Sequence, residues 1–147
     1  MNWKTDSLTI VAPRGFNDEF LSFFRLATAT CGSACGTAIK ERGSVVIEDV
    51  LLDREFVPYR NIALKAGFRA VQSTPLISSS GAFLGVVSTH FLTTHRPSEG
   101  EVQALKVAGE LTANAIIYQR ARTRTGQSTK VEERIVGTLA AADGRAN

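Results

Sequence analysis

Two cysteines, two histidines and a short series of hydroxyl and amide side chains are the residues of this chain whose types can carry chemistry. Cys31 and Cys35 stand about one helical turn apart, a spacing at which two thiols can share a metal ion or exchange a disulfide. No second cysteine pair accompanies them, and neither His90 nor His95 has the local spacing of a zinc motif, so no metal site is expected. Two cysteines are also too few for a disulfide scaffold, and reduced thiols are the expectation. His90 lies in the β-rich run Ala82 to Phe91, where a histidine can line a pocket, ligate haem or serve as hydrogen-bonded structure. His95, beside Arg96-Pro97, reads as a loop residue near a helix cap. Gln72, Ser73, Thr74 and Ser88 are polar residues inside β-rich runs, where they either orient a ligand against an apolar wall or face solvent. Together with His90 and Cys35 they form the candidate ligand-binding set.

The chain offers no nucleophile elbow, no His-Glu-x-x-His, no phosphate-cradling glycine loop ending in Lys-Ser or Lys-Thr, and no kinase catalytic loop. A non-catalytic role is therefore expected, with cysteine-based redox activity as the enzymatic alternative. Chemistry assembled only by folding leaves no such trace.

The elements that must position these residues follow from pattern. Ser7 to Ala12 is rich in β-formers and ends at Pro13-Arg14-Gly15, a strand running into a turn. Asn17 caps a predicted short helix, Asp18 to Leu26, with Phe20, Phe23, Phe24 and Leu26 on its apolar side. Thr28 to Gly32 reads as a loop. Ser33 caps Ala34 to Arg42, with Gly43 as the stop, and Ser44 to Glu48 is a strand. A helical spacing runs from Phe56 to Lys65 and ends at Gly67, with Pro58 tolerated in the first turn. Ala70 to Ile77 and Ala82 to Phe91 are two strands joined by Ser78-Ser79-Ser80-Gly81, which predicts an antiparallel hairpin. Within the second strand, simple alternation puts His90 with Leu84, Val86 and Ser88, and puts Phe83, Val87, Thr89 and Phe91 on the other face.

Ser98-Glu99-Gly100-Glu101 matches a capping box and opens a long helix to about Arg122. Its predicted core-facing stripe is Val102, Ala104, Leu105, Ala108, Leu111, Ala115 and Ile116. Val107 and Tyr118 fall beyond one edge of that stripe and Ile117 well outside it, and these three are expected to form a two-fold helix-to-helix homodimer contact. Thr123 to Thr129 is polar, and a weak final helix is expected over Val131 to Ala142.

At 147 residues, 44% hydrophobic and 21% charged, the chain has the material for one core: a domain over residues 1–122 and a tail over 123–147. The net charge is +3, but Lys and Arg are scattered from Lys4 to Arg145, which argues against nucleic acid as a partner. Asn114 and Gln119 interrupt the best candidate for a membrane span, and no signal-peptide pattern opens the chain, so a cytoplasmic location is expected.

Strand, helix, helix, strand, helix, hairpin and long helix make an α+β order with a central antiparallel sheet flanked by helices. The wording of several segments is more specific: Arg14-Gly15-Phe16 followed by Phe20-Leu21-Ser22-Phe23-Phe24, then Gly32-Ser33-Ala34-Cys35-Gly36-Thr37-Ala38, Val45-Val46-Ile47-Glu48-Asp49-Val50, and Gly67-Phe68-Arg69-Ala70-Val71-Gln72-Ser73-Thr74-Pro75-Leu76. With Gly85 to Phe91 and His95-Arg96-Pro97-Ser98, they resemble the GAF domains of bacterial sensor proteins, including those of two-component histidine kinases, over roughly Leu8 to Arg122. The resemblance implies a sensory module with a ligand cavity between the sheet and the short helices crossing it. It also implies a helix and a strand ahead of the segment matching Leu8 to Ala12, where this sequence has only Met1 to Ser7, so an N-terminally shortened member is the expectation. Some members attach a bilin through cysteine, some reduce methionine sulfoxide and some bind cyclic nucleotides. The surrounding motifs of those three groups are not present here, and the ligand and any cofactor stay unassigned. The alternative reading is a ligand-free dimerisation or interaction domain.

Overall fold

The computed structural model describes residues 7–28 and 30–124. Its order is β1 (Ser7–Thr9), α1 (Asp18–Phe23), β2 (Leu26–Thr28), α2 (Ala34–Glu41), β3 (Val45–Ile47), a 3₁₀ turn (Val57–Tyr59), α3 (Arg60–Ala66), β4 (Ala70–Ile77), β5 (Phe83–Phe91) and α4 (Glu99–Arg124). The expected tail helix over Val131 to Ala142 lies outside the described residues.

The α+β class holds. β3, β4 and β5 form an antiparallel sheet with β4 in the middle, and β1 pairs separately with β2. The predicted hairpin is present, with Ser73 opposite Ser88 and Val71 opposite His90. Leu26–Thr28 is a strand that the sequence reading placed partly in a helix and partly in a loop. A three-residue strand is too short to declare a period of two, and only its partner at Ser7–Thr9 makes it one.

Caps set the helix boundaries. Asn17 accepts from the Phe20 amide at 3.0 Å, and Ser33 accepts from Gly36 at 3.3 Å. The Ser98 amide donates to Glu101 at 2.7 Å while Ser98 Oγ accepts from the Glu101 amide at 3.3 Å, completing the capping box. α3 ends at Gly67, whose φ of 81° a side chain would strain. α2 stops one residue earlier than expected, because Arg42 itself takes the left-handed conformation at φ 51°.

The sheet divides the molecule. One face is covered by α1, α2 and α3 and holds the main core: Phe20, Ala34, Ile47, Val50, Phe56, Ile62, Ala63, Phe68 and Val71. The other is covered by α4, which packs chiefly on β4. Gly109 makes that approach close, since a Cβ there would sit 3.1 Å from the Pro75 carbonyl oxygen. Gly109 and Ala113 are the buried centre of the contact, with Val102, Leu105, Ala108, Thr112, Ala115 and Ile116 half-buried around it. Ala104 and Leu111, both expected in the core stripe, are exposed, Leu111 by 64%. At about 100° per residue Leu111 lies roughly half a turn from Gly109. The expected stripe left out Gly109 and Ala113, the two small residues on which the helix lands.

A register shift between Leu76 and Ile77 pairs Ile77 with Phe83. The bulge brings Phe83 to the face under α2, where the Arg42 guanidinium lies 5.9 Å from its ring centre, rather than to the face simple alternation assigned.

Candidate functional site

Alternation along β4 separates the candidate set into two groups. Val71 and Ser73 point towards α1, α2 and α3, with Ser88 and His90 beside them on β5. Gln72, Thr74 and Leu76 point towards α4, as the contacts of Thr74 and Leu76 with the Gly109 position show. Ser73, Ser88, His90 and Cys35 therefore belong to one side of the sheet, and Gln72 and Thr74 to the other. No single small ligand on one face touches all six.

On the first side, Ser73 is fully buried and its hydroxyl lies 2.7 Å from that of Ser88. His90 sits in an aromatic box. Its ring centre is 4.6 Å from that of Phe68, 4.7 Å from Phe16 and 5.8 Å from Phe20, each contact edge-on. Burial among these rings lowers its pKa from 6.5 to about 4, with a backbone hydrogen bond at Ser88 acting in the opposite direction, so the imidazole is neutral at pH 7. Phe16 closes the box from the loop between β1 and α1 and stacks on Phe20 at 4.1 Å. The rings continue through Phe24, Tyr59 and Phe56. The sequence places Phe20, Phe23 and Phe24 on a helix but gives no sign that Phe20 would meet His90 together with Phe16 and Phe68.

Cys35 lies in the first turn of α2, half-buried. Ser33 stands between the two thiols, 3.0 Å from Cys31 Sγ and 3.1 Å from Cys35 Sγ. This three-residue cluster is a feature that the sequence showed only as spacing.

On the α4 side, Gln72 and Thr74 are buried, and Gln72 Nε2 and Thr74 Oγ1 have no hydrogen-bond partner among the described residues. A narrow gap of about 10 Å³ adjoins Thr74, Val87, Leu105 and Thr112, room for one water at most. An open hollow of about 570 Å³ lies elsewhere, beside edge strand β3, and includes Glu48, Asp49, Asp53 and Thr94. Asp49 there is committed to structure. Its hydrogen bond from Arg69 at 2.7 Å, aided by that of the Leu51 amide, holds its carboxyl below the usual range. None of the candidate residues lines this hollow.

Beyond the sheet, His95 stacks on Phe91 at 3.9 Å and lies 3.6 Å from Glu101, beside the cap of α4 as expected. On α4 itself, Val107 is 47% exposed, Ile117 37% and Tyr118 61%. Among the described residues no helix is long and apolar enough to cross a membrane.

The fold is shared with known proteins. A domain from Sinorhizobium meliloti, described as part of a two-component sensor histidine kinase, superposes with a TM-score of 0.63 over 82% of this chain and 77% of that one, at 18% identity. The free methionine-R-sulfoxide reductase of Neisseria meningitidis superposes with a TM-score of 0.54 over 74% of this chain and 58% of its own, at 19% identity. At such identities the likeness is one of fold. In sequence, the methyl sulfide methyltransferase-associated sensor of Methanosarcina acetivorans is 30% identical over 92 residues, 63% of this chain and 9% of that protein. Residues 6–116 match the GAF domain family, and the chain belongs to that family.

Proposed function

We propose that this chain is a non-catalytic sensory module of a cytoplasmic signalling protein, of the two-component kind, that binds a small molecule on the face of the sheet under α1, α2 and α3. The observation that carries this reading is a neutral His90 held against the rings of Phe16, Phe20 and Phe68 on the same face of the sheet as the paired hydroxyls of Ser73 and Ser88. A few oriented polar groups against an apolar wall are what a small-molecule site needs. Phe16 is the gate, because it reaches the box from a connecting loop while the other rings come from α1 and from the turn before β4. Output passes through β4, whose opposite face carries α4.

The exposed side of α4 is the second part of the proposal. Val107, Ile117 and Tyr118, joined by Leu111, form a self-complementary contact between two copies, so that a shift of α4 is felt by the partner. The likeness in sequence to a sensor supports the sensory reading.

A thermal-shift and native mass-spectrometry panel of small metabolites on the folded chain tests the binding claim. A ligand stabilises the wild type, and Ser88→Ala weakens that effect. A folded chain that binds nothing in the panel favours a ligand-free dimerisation domain. Light scattering on the wild type and a Val107→Glu, Ile117→Glu variant tests the contact: a wild type that stays monomeric at high concentration rejects it, and an unchanged dimer in the variant moves it elsewhere.

A further inference from the structure

The loop before α2 brings two thiols to one hydroxyl. Ser33 Oγ lies 3.0 Å from Cys31 Sγ and 3.1 Å from Cys35 Sγ, and it accepts the Gly36 amide at 3.3 Å. A serine hydroxyl has one proton to donate and two lone pairs. With one lone pair taken by Gly36, it is fully satisfied when one thiol donates to it and it donates to the other sulfur. The two sulfurs are then unequal: one donates its S–H to the hydroxyl, and the other accepts the hydroxyl's hydrogen bond, an interaction that favours the thiolate form of that sulfur.

The surroundings decide the roles. Burial pushes the Cys35 thiol up, the Ser33 hydrogen bond offsets part of this, and the charge of Cys31 adds to the rise. The Tyr59 phenol is likewise pushed up, first by burial and then by Cys31, so it remains a protonated hydroxyl beside that sulfur. Cys31 is the nucleophile and Cys35 the thiol held in reserve. Cys31 is half-buried, next to the exposed Thr30, and is not in a disulfide.

We propose that Cys31 and Cys35 are an oxidation site, converted by hydrogen peroxide into a reversible intramolecular disulfide. The Cys31 thiolate attacks one peroxide oxygen, the O–O bond breaks, the sulfur becomes a sulfenic acid, and the other oxygen leaves as hydroxide and takes up the proton Cys31 released. Cys35, losing its own proton, attacks the Cys31 sulfur. The S–S bond forms, the S–O bond breaks, and the second hydroxide leaves as water with the Cys35 proton. Two thiols and one peroxide give one disulfide and two waters.

The bond changes the fold locally. Sulfurs joined at about 2.05 Å leave no space for the Ser33 hydroxyl between them, so the hydroxyl that caps α2 must readjust. α2 packs on β3, β4 and β5, so oxidation is transmitted to the strands that carry Ser73 and Ser88. The site needs no ligand and is independent of the binding proposal.

The test adds stoichiometric hydrogen peroxide to the full chain and follows thiol titre and intact mass. Both thiols disappear, the monomer loses the mass of two hydrogens, a tryptic map places the crosslink between Cys31 and Cys35, and dithiothreitol reverses it. Cys35→Ser stops at a sulfenic acid on Cys31, captured by dimedone, and Cys31→Ser reacts roughly tenfold more slowly or less. A wild type that keeps both thiols, gains oxygen without a crosslink, or links only between chains overturns the proposal whatever the variants do.

Discussion

The two faces of β4 treat buried polar side chains in opposite ways. Ser73, under the short helices, has its hydroxyl satisfied by Ser88 at 2.7 Å, on the face that also holds the aromatic core. Gln72 and Thr74, under α4, are as deeply buried, yet Gln72 Nε2 and Thr74 Oγ1 have no partner among the described residues. The packing differs as well. Large rings fill one face, while on the other a glycine and an alanine let a helix backbone approach the strand. A buried polar residue in a strand therefore has no fixed meaning: one here closes a cross-strand bond, and its two neighbours each bury a polar atom that has no partner among the described residues.

The ring-filled face should dominate stability. Phe68→Ala, which removes a ring touching Phe16, Phe20, Phe56 and His90, is expected to cost about 3–5 kcal/mol in urea unfolding. A loss as small as that of an exposed phenylalanine would show that the box is loosely packed and would equalise the faces.

The same face should carry the pH dependence. His90 titrates near 6.5 in the unfolded chain and near 4 in the fold, so the unfolded state takes the proton first. Stability is then intact above about pH 6.5 and falls towards pH 4 by roughly 3 kcal/mol, at about 1.4 kcal/mol for each pKa unit. Unfolding followed across that window in the wild type and in His90→Phe checks this, because the variant should lose most of the slope. Phe16→Ala should bring the imidazole pKa back up, as read by NMR titration.

The α4 face should respond to added bulk instead. Gly109→Val pushes a side chain against the Pro75 carbonyl and is expected to cost about 1–3 kcal/mol, whereas the same change at exposed Gly100 should not be felt through the core. The smallest effects compare the polar groups directly. Ser73→Ala strands the Ser88 hydroxyl and should lose about 1 kcal/mol, while Gln72→Leu removes a buried amide nitrogen with no partner among the described residues and should be neutral or slightly stabilising. Equal losses at the two positions would mean that Gln72 has a partner such as a bound water.

Much of the fold was legible because its signals are local. The hairpin limits at Ala70, Ile77 and Phe91, and the caps at Asn17, Ser33 and Ser98, stand where composition and spacing put them. The candidate site was legible only as a collection of residue types. Period two does separate Gln72 and Thr74 from Ser73, but which face belongs to the short helices depends on where α4 comes to rest. Cys31 and Cys35 were visible as a spacing, and their shared hydroxyl was not, since Ser33 was read only as a helix cap.

Patterning within a few residues thus fixed where strands and helices begin, because a cap or an alternation acts over one turn or one pleat. Packing decided the rest. Leu111 points to solvent because α4 docks through Gly109, whose merit is the absence of a side chain and which a scale of hydrophobicity cannot see. Phe83 changes face because a bulge shifts its register, and Leu26–Thr28 becomes a strand because Ser7–Thr9 lies beside it. The His90 box joins side chains from a loop, from α1, from the turn before β4 and from β5, and only the folded chain brings segments so far apart in sequence within contact of one ring.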